Sequence, residues 1–359
     1  MKEMLVRYPI EFLSLGLVLV NVLGCGSSSS PGSSDAGTSA SQACADIAHA
    51  QCEKRESCSI GSFYNNYNYG SEAECETRVA PPCVSGLSAQ GTGQSASNLE
   101  TCVAEYASYS CTDFRDNNPS GACVPPAGTR PVGSACGANG QCASTFCHLA
   151  QRETCGVCAA LPQVGTICVY EGDCGRNLDC AIPSGSASGT CASLVANGGA
   201  CLTGSMPCQA GLACVGETVA TNTTGTCQPQ ASTVGAACDR ARKTAANCDF
   251  ERGLTCVPTA AASGVGTCQT MTLVAVGQTC GVLGTSPITG EAVCNAGGLC
   301  VKANAADATG TCVAAAKDGA ACNSDATVGP LCLPPAKCVA TSAVATSGTC
   351  VVPDATQCH

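Results

Sequence analysis

The hydrophobic pattern changes period twice along the chain, and each change marks a different kind of segment. Phe12, Leu13, Leu15, Leu17, Val18, Leu19 and Val20 form a nearly continuous apolar run, with Lys2 and Arg7 before it and Val22-Leu23-Gly24-Cys25 after it. Such a run is short for a membrane-spanning helix and fits the core of an export signal. From Cys44 the spacing becomes helical: Cys44, Ala48 and Cys52 fall at i, i+4 and i+8, with Ile47 on the same face. Ser71-Glu72-Ala73-Glu74 reads as a capping box opening a second helix, which Pro81-Pro82 is expected to stop. Ser97-Asn98-Leu99-Glu100 reads as another such box, followed by the apolar stripe Leu99, Cys102, Val103 and Tyr106. Between these helices, Phe63 to Gly70 holds clustered aromatics and asparagines and is expected to be a loop folded onto the helical domain.

Beyond residue 128 the helical period gives way to a repeated unit: Gly-x-x-Cys, a second Cys, Leu-x-Cys or a variant, a loop of small residues, and Gly-Thr-Cys. One unit runs Cys168, Cys174, Cys180, Cys191, and the next Cys201, Cys208, Cys214, Cys227. Three more units begin at Cys238, Cys280 and Cys322. The first unit, with Cys136, Cys142, Cys147, Cys155 and Cys158, is irregular. Within a unit, Leu-x-Cys-Val and Gly-Thr-Cys are expected to be two short strands of a hairpin. A first-to-third, second-to-fourth pairing is favoured among the three that four cysteines allow. If every unit closes on itself, the odd cysteine of the first unit is left for Cys358 and ties the ends of the array together. A period of this size signals an array in which each unit contacts mainly its neighbours, here expected to be elongated.

Composition explains why cysteine is so frequent. The 359 residues include 35 Cys and no Trp, with 3% aromatic residues, so the apolar content is largely Ala and Cys. Such a core buries little area, and disulfides, each contributing about 2–4 kcal/mol, must supply much of the order. They persist only outside the reducing cytosol. Zinc knuckles would need repeated short Cys or His pairs, whereas only Cys155 and Cys158 have that spacing and the three histidines are scattered. A net charge of −10 with no basic patch excludes nucleic acid as an expected partner and leaves membrane contact to covalent or hydrophobic means.

The junction Val22-Leu23-Gly24-Cys25 resembles a bacterial lipobox, which implies that residues 1–24 are removed and that Cys25 is the lipid attachment site. Residues 25–43, rich in Ser and Gly, form the tether that would follow, spanning roughly 20–25 Å root-mean-square. Setting Cys25 aside leaves 34 cysteines, an even number. Gly26 behind the lipidated residue resembles proteins sent to an outer membrane. The Gly-x-x-Cys and Gly-Thr-Cys repeats resemble the cysteine-rich repeat lipoproteins of predatory, myxobacteria-like Gram-negative bacteria. They are similar in spacing to the modules of Dickkopf-type and EGF-like extracellular proteins. That resemblance implies extracellular binding or spacing and says nothing of the ligand.

The remaining residues carry no complete catalytic pattern. No Gly-x-Ser-x-Gly elbow or Gly-Lys-Ser/Thr phosphate loop occurs. His49, His148 and His359 are expected to be surface histidines. Asp116-Asn117-Asn118-Pro119-Ser120-Gly121 imitates the start of a calcium loop, but Ala127 stands where a bidentate Glu is needed. Cys155-Gly156-Val157-Cys158 has redox-pair spacing without a thioredoxin-like setting and is expected to be structural. The sequence therefore predicts small disulfide-rich modules in tandem, over residues 128–359, preceded by a small α-helical disulfide domain over 44–127. It predicts a non-enzymatic, lipid-anchored envelope protein without cofactor, in a structural, adhesive or ligand-binding role toward envelope protein or polysaccharide. The alternatives are a secreted hydrolase or thiol oxidoreductase with its site in residues 44–123, and a cysteine-rich inhibitor.

Overall fold

The structure, a computed structural model, describes residues 38–359 except 260–263, 285–286, 326, 341 and 343–344. The export signal over 1–24, the lipid site Cys25 and the tether as far as residue 37 lie outside the described residues.

Five helices build the N-terminal domain: α1 (Ala40–Ser57), α2 (Phe63–Asn68), α3 (Glu72–Ser88), α4 (Ala96–Tyr106) and α5 (Cys111–Arg115). The stripe of Ala43, Cys44, Ile47 and Ala50 on α1 meets Cys83 on α3 and Leu99, Cys102 and Tyr106 on α4, forming a core with more carbon than sulfur side chains. Four disulfides fasten it: Cys44–Cys83, Cys52–Cys75, Cys58–Cys111 and Cys102–Cys123.

Three local expectations are corrected. The second helix does not stop at Pro81-Pro82 but continues to Ser88. Each proline removes a helix hydrogen bond and costs roughly 3 kcal/mol relative to Ala. Against that, Pro82, Cys83, Ser85 and Gly86 are buried, and the Cys44–Cys83 bridge closes a 39-residue separation worth roughly 4 kcal/mol. The third helix begins two residues before the predicted box. Ser95 is its N-cap, and Ser95 and Asn98 exchange hydrogen bonds between side chain and backbone. The aromatic segment is a helix, α2, rather than a loop. The side chain of Asn65, fully buried, donates to the Cys52 carbonyl at 2.8 Å and to Glu56 at 3.0 Å, holding α2 on α1.

The six units are small antiparallel sheets. In the third, Leu212–Val215 pairs with Gly225–Pro229, and Ala200–Cys201 adds a third strand on the other side, so the predicted hairpin is two-thirds of the sheet. The same three-stranded order recurs in the other modules, extended to five strands in the fifth. Every module pairs its cysteines first to third and second to fourth; Cys168–Cys180 with Cys174–Cys191, and Cys201–Cys214 with Cys208–Cys227, are two examples. The first module follows the same scheme with Cys136–Cys147 and Cys142–Cys158, because Cys155 is not part of it. The recurring glycines have separate jobs. Gly198, at φ +82°, turns its N–H onto the Cys227 carbonyl at 2.8 Å and so closes the module entrance on its last cysteine. At Gly225 a Cβ would lie 2.5 Å from the Val215 carbonyl oxygen, a contact no other residue permits.

The array is not elongated. Its modules encircle the helical domain, and the last touches the first. Neighbours meet through His148 and Asp173 between modules one and two, Gly216 N–H to the Arg242 carbonyl between three and four, and Thr255 to Glu291 between four and five. Modules two and three meet where Gly204 passes the Ile182 carbonyl, and five and six where Gly329 abuts Leu299. Module six closes on module one through Cys155–Cys358, Arg152 to the Ala345 carbonyl at 2.7 Å, and Lys337 to the Glu153 carbonyl at 2.8 Å. The helical hub gives the modules docking points that a linear array lacks, among them Gly93 N–H on the Gly140 carbonyl for module one and Arg78 on Asp318 for module six.

A Cys155→Ser, Cys358→Ser double variant leaves each module its own two disulfides and severs only the seam. It is expected to lose roughly 2–5 kcal/mol of stability and to become cleavable by protease between residues 315 and 359. An unchanged melting temperature with unchanged proteolysis would show that the seam contributes nothing.

Candidate functional site

Polar and aromatic side chains converge where the hub meets the modules. The richest convergence is at module four. Arg115, at the end of α5, has 7% of its side chain exposed and lies between Asp249 at 3.0 Å and Glu251 at 2.8 Å, while donating to the Cys58 carbonyl at 2.7 Å. Burial opposes its charge, but the two carboxylates outweigh burial and hold it above the usual arginine value. Beside it Phe63 stacks on Tyr67 at 5.5 Å and meets Phe250 edge-on at 6.2 Å. Burial pushes the Tyr64 phenol well up, with Glu251 adding to the shift. Gly253 is required here because a Cβ would lie 2.6 Å from the Phe63 ring. Every member of this cluster is spent on joining hub to module.

The other sequence candidates are placed as follows. His49 is exposed on α1 and pairs with Glu76 at 2.6 Å; that hydrogen bond raises its pKa. His148 Nε2 meets Asp173 at 2.8 Å, and the second carboxylate oxygen of Asp173 accepts from Val169 N–H and Tyr170 N–H. The pair carries an imidazole and a carboxylate but serves as the seam between modules one and two. Asp116 accepts from Ala210 N–H at 2.8 Å, so the carboxylate that imitates a calcium ligand anchors module three. Within the helical domain Glu100 lies beside Asp46; burial and then that carboxylate raise its pKa. In module four, burial would raise buried Asp239, but donors from Thr244, Ala241 and Lys243 hold it below the usual carboxylate value.

Triplets of cysteine sulfurs close enough to hold a metal ion occur in the modules, such as Cys201, Cys208 and Cys227. Those sulfurs are bonded to one another in disulfides, which leaves no thiolate to ligate. Cys155 and Cys158 do not pair with each other: Cys155 bonds Cys358 and Cys158 bonds Cys142.

A cleft also opens between the hub and module two. Asn118 and Pro119 of the hub, Leu161 and Pro162 of the first linker, and Arg176 and Asn177 of module two line a cleft of about 250 Å³. Nothing in the sequence marked it, because its walls come from three separate stretches. The arginine followed by an asparagine at φ +57° is the only local signal. Among the described residues no helix is long and apolar enough to cross a membrane. Comparison of the chain with protein-family models, curated proteins and solved structures gives no match.

Replacing Arg115 by Met strands two carboxylates in the hub interface and is expected to cost about 3–5 kcal/mol, measured by chemical unfolding with disulfides intact. Adding Asp249→Asn should recover part of the loss, and full additivity of the two changes would contradict the ion pair. A pH dependence follows from Lys337, which burial depresses to about 8 from 10.5. Between those values the unfolded chain holds a proton that the folded one has shed, so stability rises with pH across that window. Tyr64 acts in the opposite sense: its raised pKa makes stability fall once unfolded tyrosine ionises, above about pH 10. The melting temperature is expected to peak near pH 9–10, and Lys337→Met should abolish the rise.

Proposed function

We propose that the chain is a non-enzymatic, lipid-anchored protein of the bacterial cell envelope, tethered through Cys25, whose hub and ring of disulfide modules bind envelope polysaccharide or protein. The observation that carries this reading is the completeness of the pairing. All 34 cysteines after Cys25 are joined in 17 disulfides. That number of bridges calls for an oxidising compartment beyond the cytosol. It also leaves Cys25, directly behind the apolar run, as the one cysteine with no partner available in the chain. The lipobox resemblance and the tether of residues 25–43 support an acylated Cys25, and several acyl chains on one residue give stable anchoring. The resemblance to myxobacteria-like repeat lipoproteins supports an outer-membrane address.

A binding role is preferred to an enzymatic one because the groups that catalysis would draw on are engaged in holding the assembly. His148 and Asp173 form a seam, Arg115 a buried ion cluster, and Asp116 a docking point. A disulfide-braced ring suits a protein that must keep one shape outside the cell.

Intact mass spectrometry of membrane-extracted protein is expected to show residues 1–24 removed, acyl chains on Cys25 and no thiol reactive without reductant. The Cys25→Ser variant should leave the membrane fraction. An unacylated Cys25, or a Cys25→Ser protein still held by the membrane, would contradict the anchor.

A further inference from the structure

The cleft between the hub, the first linker and module two presents an unusual charge. Its Arg176 is half-buried, and among the described residues no hydrogen bond or ion pair engages it. Five other arginines are committed: Arg78 to Asp318, Arg115 to Asp249, Arg130 to the Cys358 carbonyl, Arg152 to the Ala345 carbonyl and Arg242 to Glu217. The chain has 26 acidic residues against 16 basic ones, yet none of the carboxylates among the described residues pairs with this guanidinium.

From this cleft we infer a binding site for a carboxylate-bearing sugar, one uronate-type residue within an otherwise neutral glycan. The inference rests on the ligand-binding role proposed above and names its site and ligand class. A guanidinium has donors only, in a planar fork that matches a carboxylate, so the ligand must bring an anionic, bidentate acceptor. Asn118 spends its amide N–H on Asp113 at 2.8 Å, which leaves its carbonyl oxygen to accept from a hydroxyl. Asn177 is exposed and offers both a donor and an acceptor at the rim. Pro119, Leu161 and Pro162 supply apolar wall for the C–H face of a ring. At about 250 Å³ the cleft falls below the roughly 300–1,000 Å³ of drug-sized sites and suits one small group.

Charge decides between the anions. A phosphate dianion calls for several cations or a cluster of backbone donors, and this cleft has a single guanidinium. A densely charged polyanion would be repelled by a net charge of −10. One carboxylate among neutral hydroxyl-rich units avoids both objections. The cleft exists only when the ring is docked on the hub, since its walls belong to both.

The test is calorimetric titration of the full-length protein in detergent micelles with methyl glucuronide, methyl glucoside, inorganic phosphate and a short alanine peptide with a free C-terminus. Saturable binding of the glucuronide alone is expected, weakened roughly ten- to hundredfold by Arg176→Gln and partly restored in Arg176→Lys. Leu161→Glu, at a position 38% exposed and therefore safe for folding, should weaken it comparably by charge repulsion. Equal binding of the glucoside, tighter binding of phosphate or peptide, no saturable binding, or an unaffected Arg176→Gln each overturns the inference. If both variants still retain isolated envelope polysaccharide, the binding role stands and only this site falls. If the unaltered protein retains no envelope component, the binding role falls with it.

Discussion

Two crossed disulfides in each module are the constraint on which everything else depends. The core cluster of module three is Cys201, Cys208, Cys214 and Cys227, with Val195 and Leu212 packed against it, and other modules are similar. About thirty residues with so little apolar area would not repay the loss of chain entropy. The cross-links reduce that loss instead, by restricting the unfolded chain. Once sulfur fills the centre, the strands around it can be short, the loops variable and the side chains small. Reduction would therefore remove the core itself rather than an accessory to it.

Shape follows from what such modules lack. A module with a sulfur core exposes polar backbone and small side chains, and has no broad apolar face to stack on its neighbour. Much of the joining is polar: Lys337 on the Ala150 and Glu153 carbonyls, Arg115 between Asp249 and Glu251, Ala296 and Gly297 N–H on the carbonyls of Asn66 and Tyr67, with small apolar contacts such as Ala213 and Val215 on Ala246 and Phe63 on Phe250 beside them. Each of these is worth little unless several act together and one partner is already rigid. The helical hub, tied by four disulfides, supplies that rigidity, and Cys155–Cys358 prevents the ring from peeling. The buried charges at these seams make the assembly sensitive to pH in a way that a purely covalent scaffold would not be.

The cleft proposed as a binding site sits at a joint rather than within a module. The cleft around Arg176 combines a hub loop, a linker and a module turn, so its geometry reports on the docked state of all three. The module loops, rich in Ala and Ser, contribute nothing to it. Variation in their length can thus be tolerated without disturbing this cleft.

Much of this was written in the chain. Gly-x-x-Cys and Gly-Thr-Cys set the module and its hairpin, because only cross-linking can order so small a core and only glycine fits against the neighbouring carbonyl. The periodicity of Cys44, Ala48 and Cys52 sufficed for α1, since a stripe of buried residues along a helix is a local property. Tertiary structure alone decided the rest. Helix α3 passes Pro81-Pro82 because Cys83 is held by Cys44, a partner 39 residues away. The aromatic segment became α2 because Asn65 and Phe63 found Cys52 and Phe250. The array closed into a ring because docking points for the modules lie scattered over residues 60–119 of the hub, where no repeat period records them. Contacts between distant stretches leave no spacing to read, and that is why the ring and its cleft emerge only once the chain is folded.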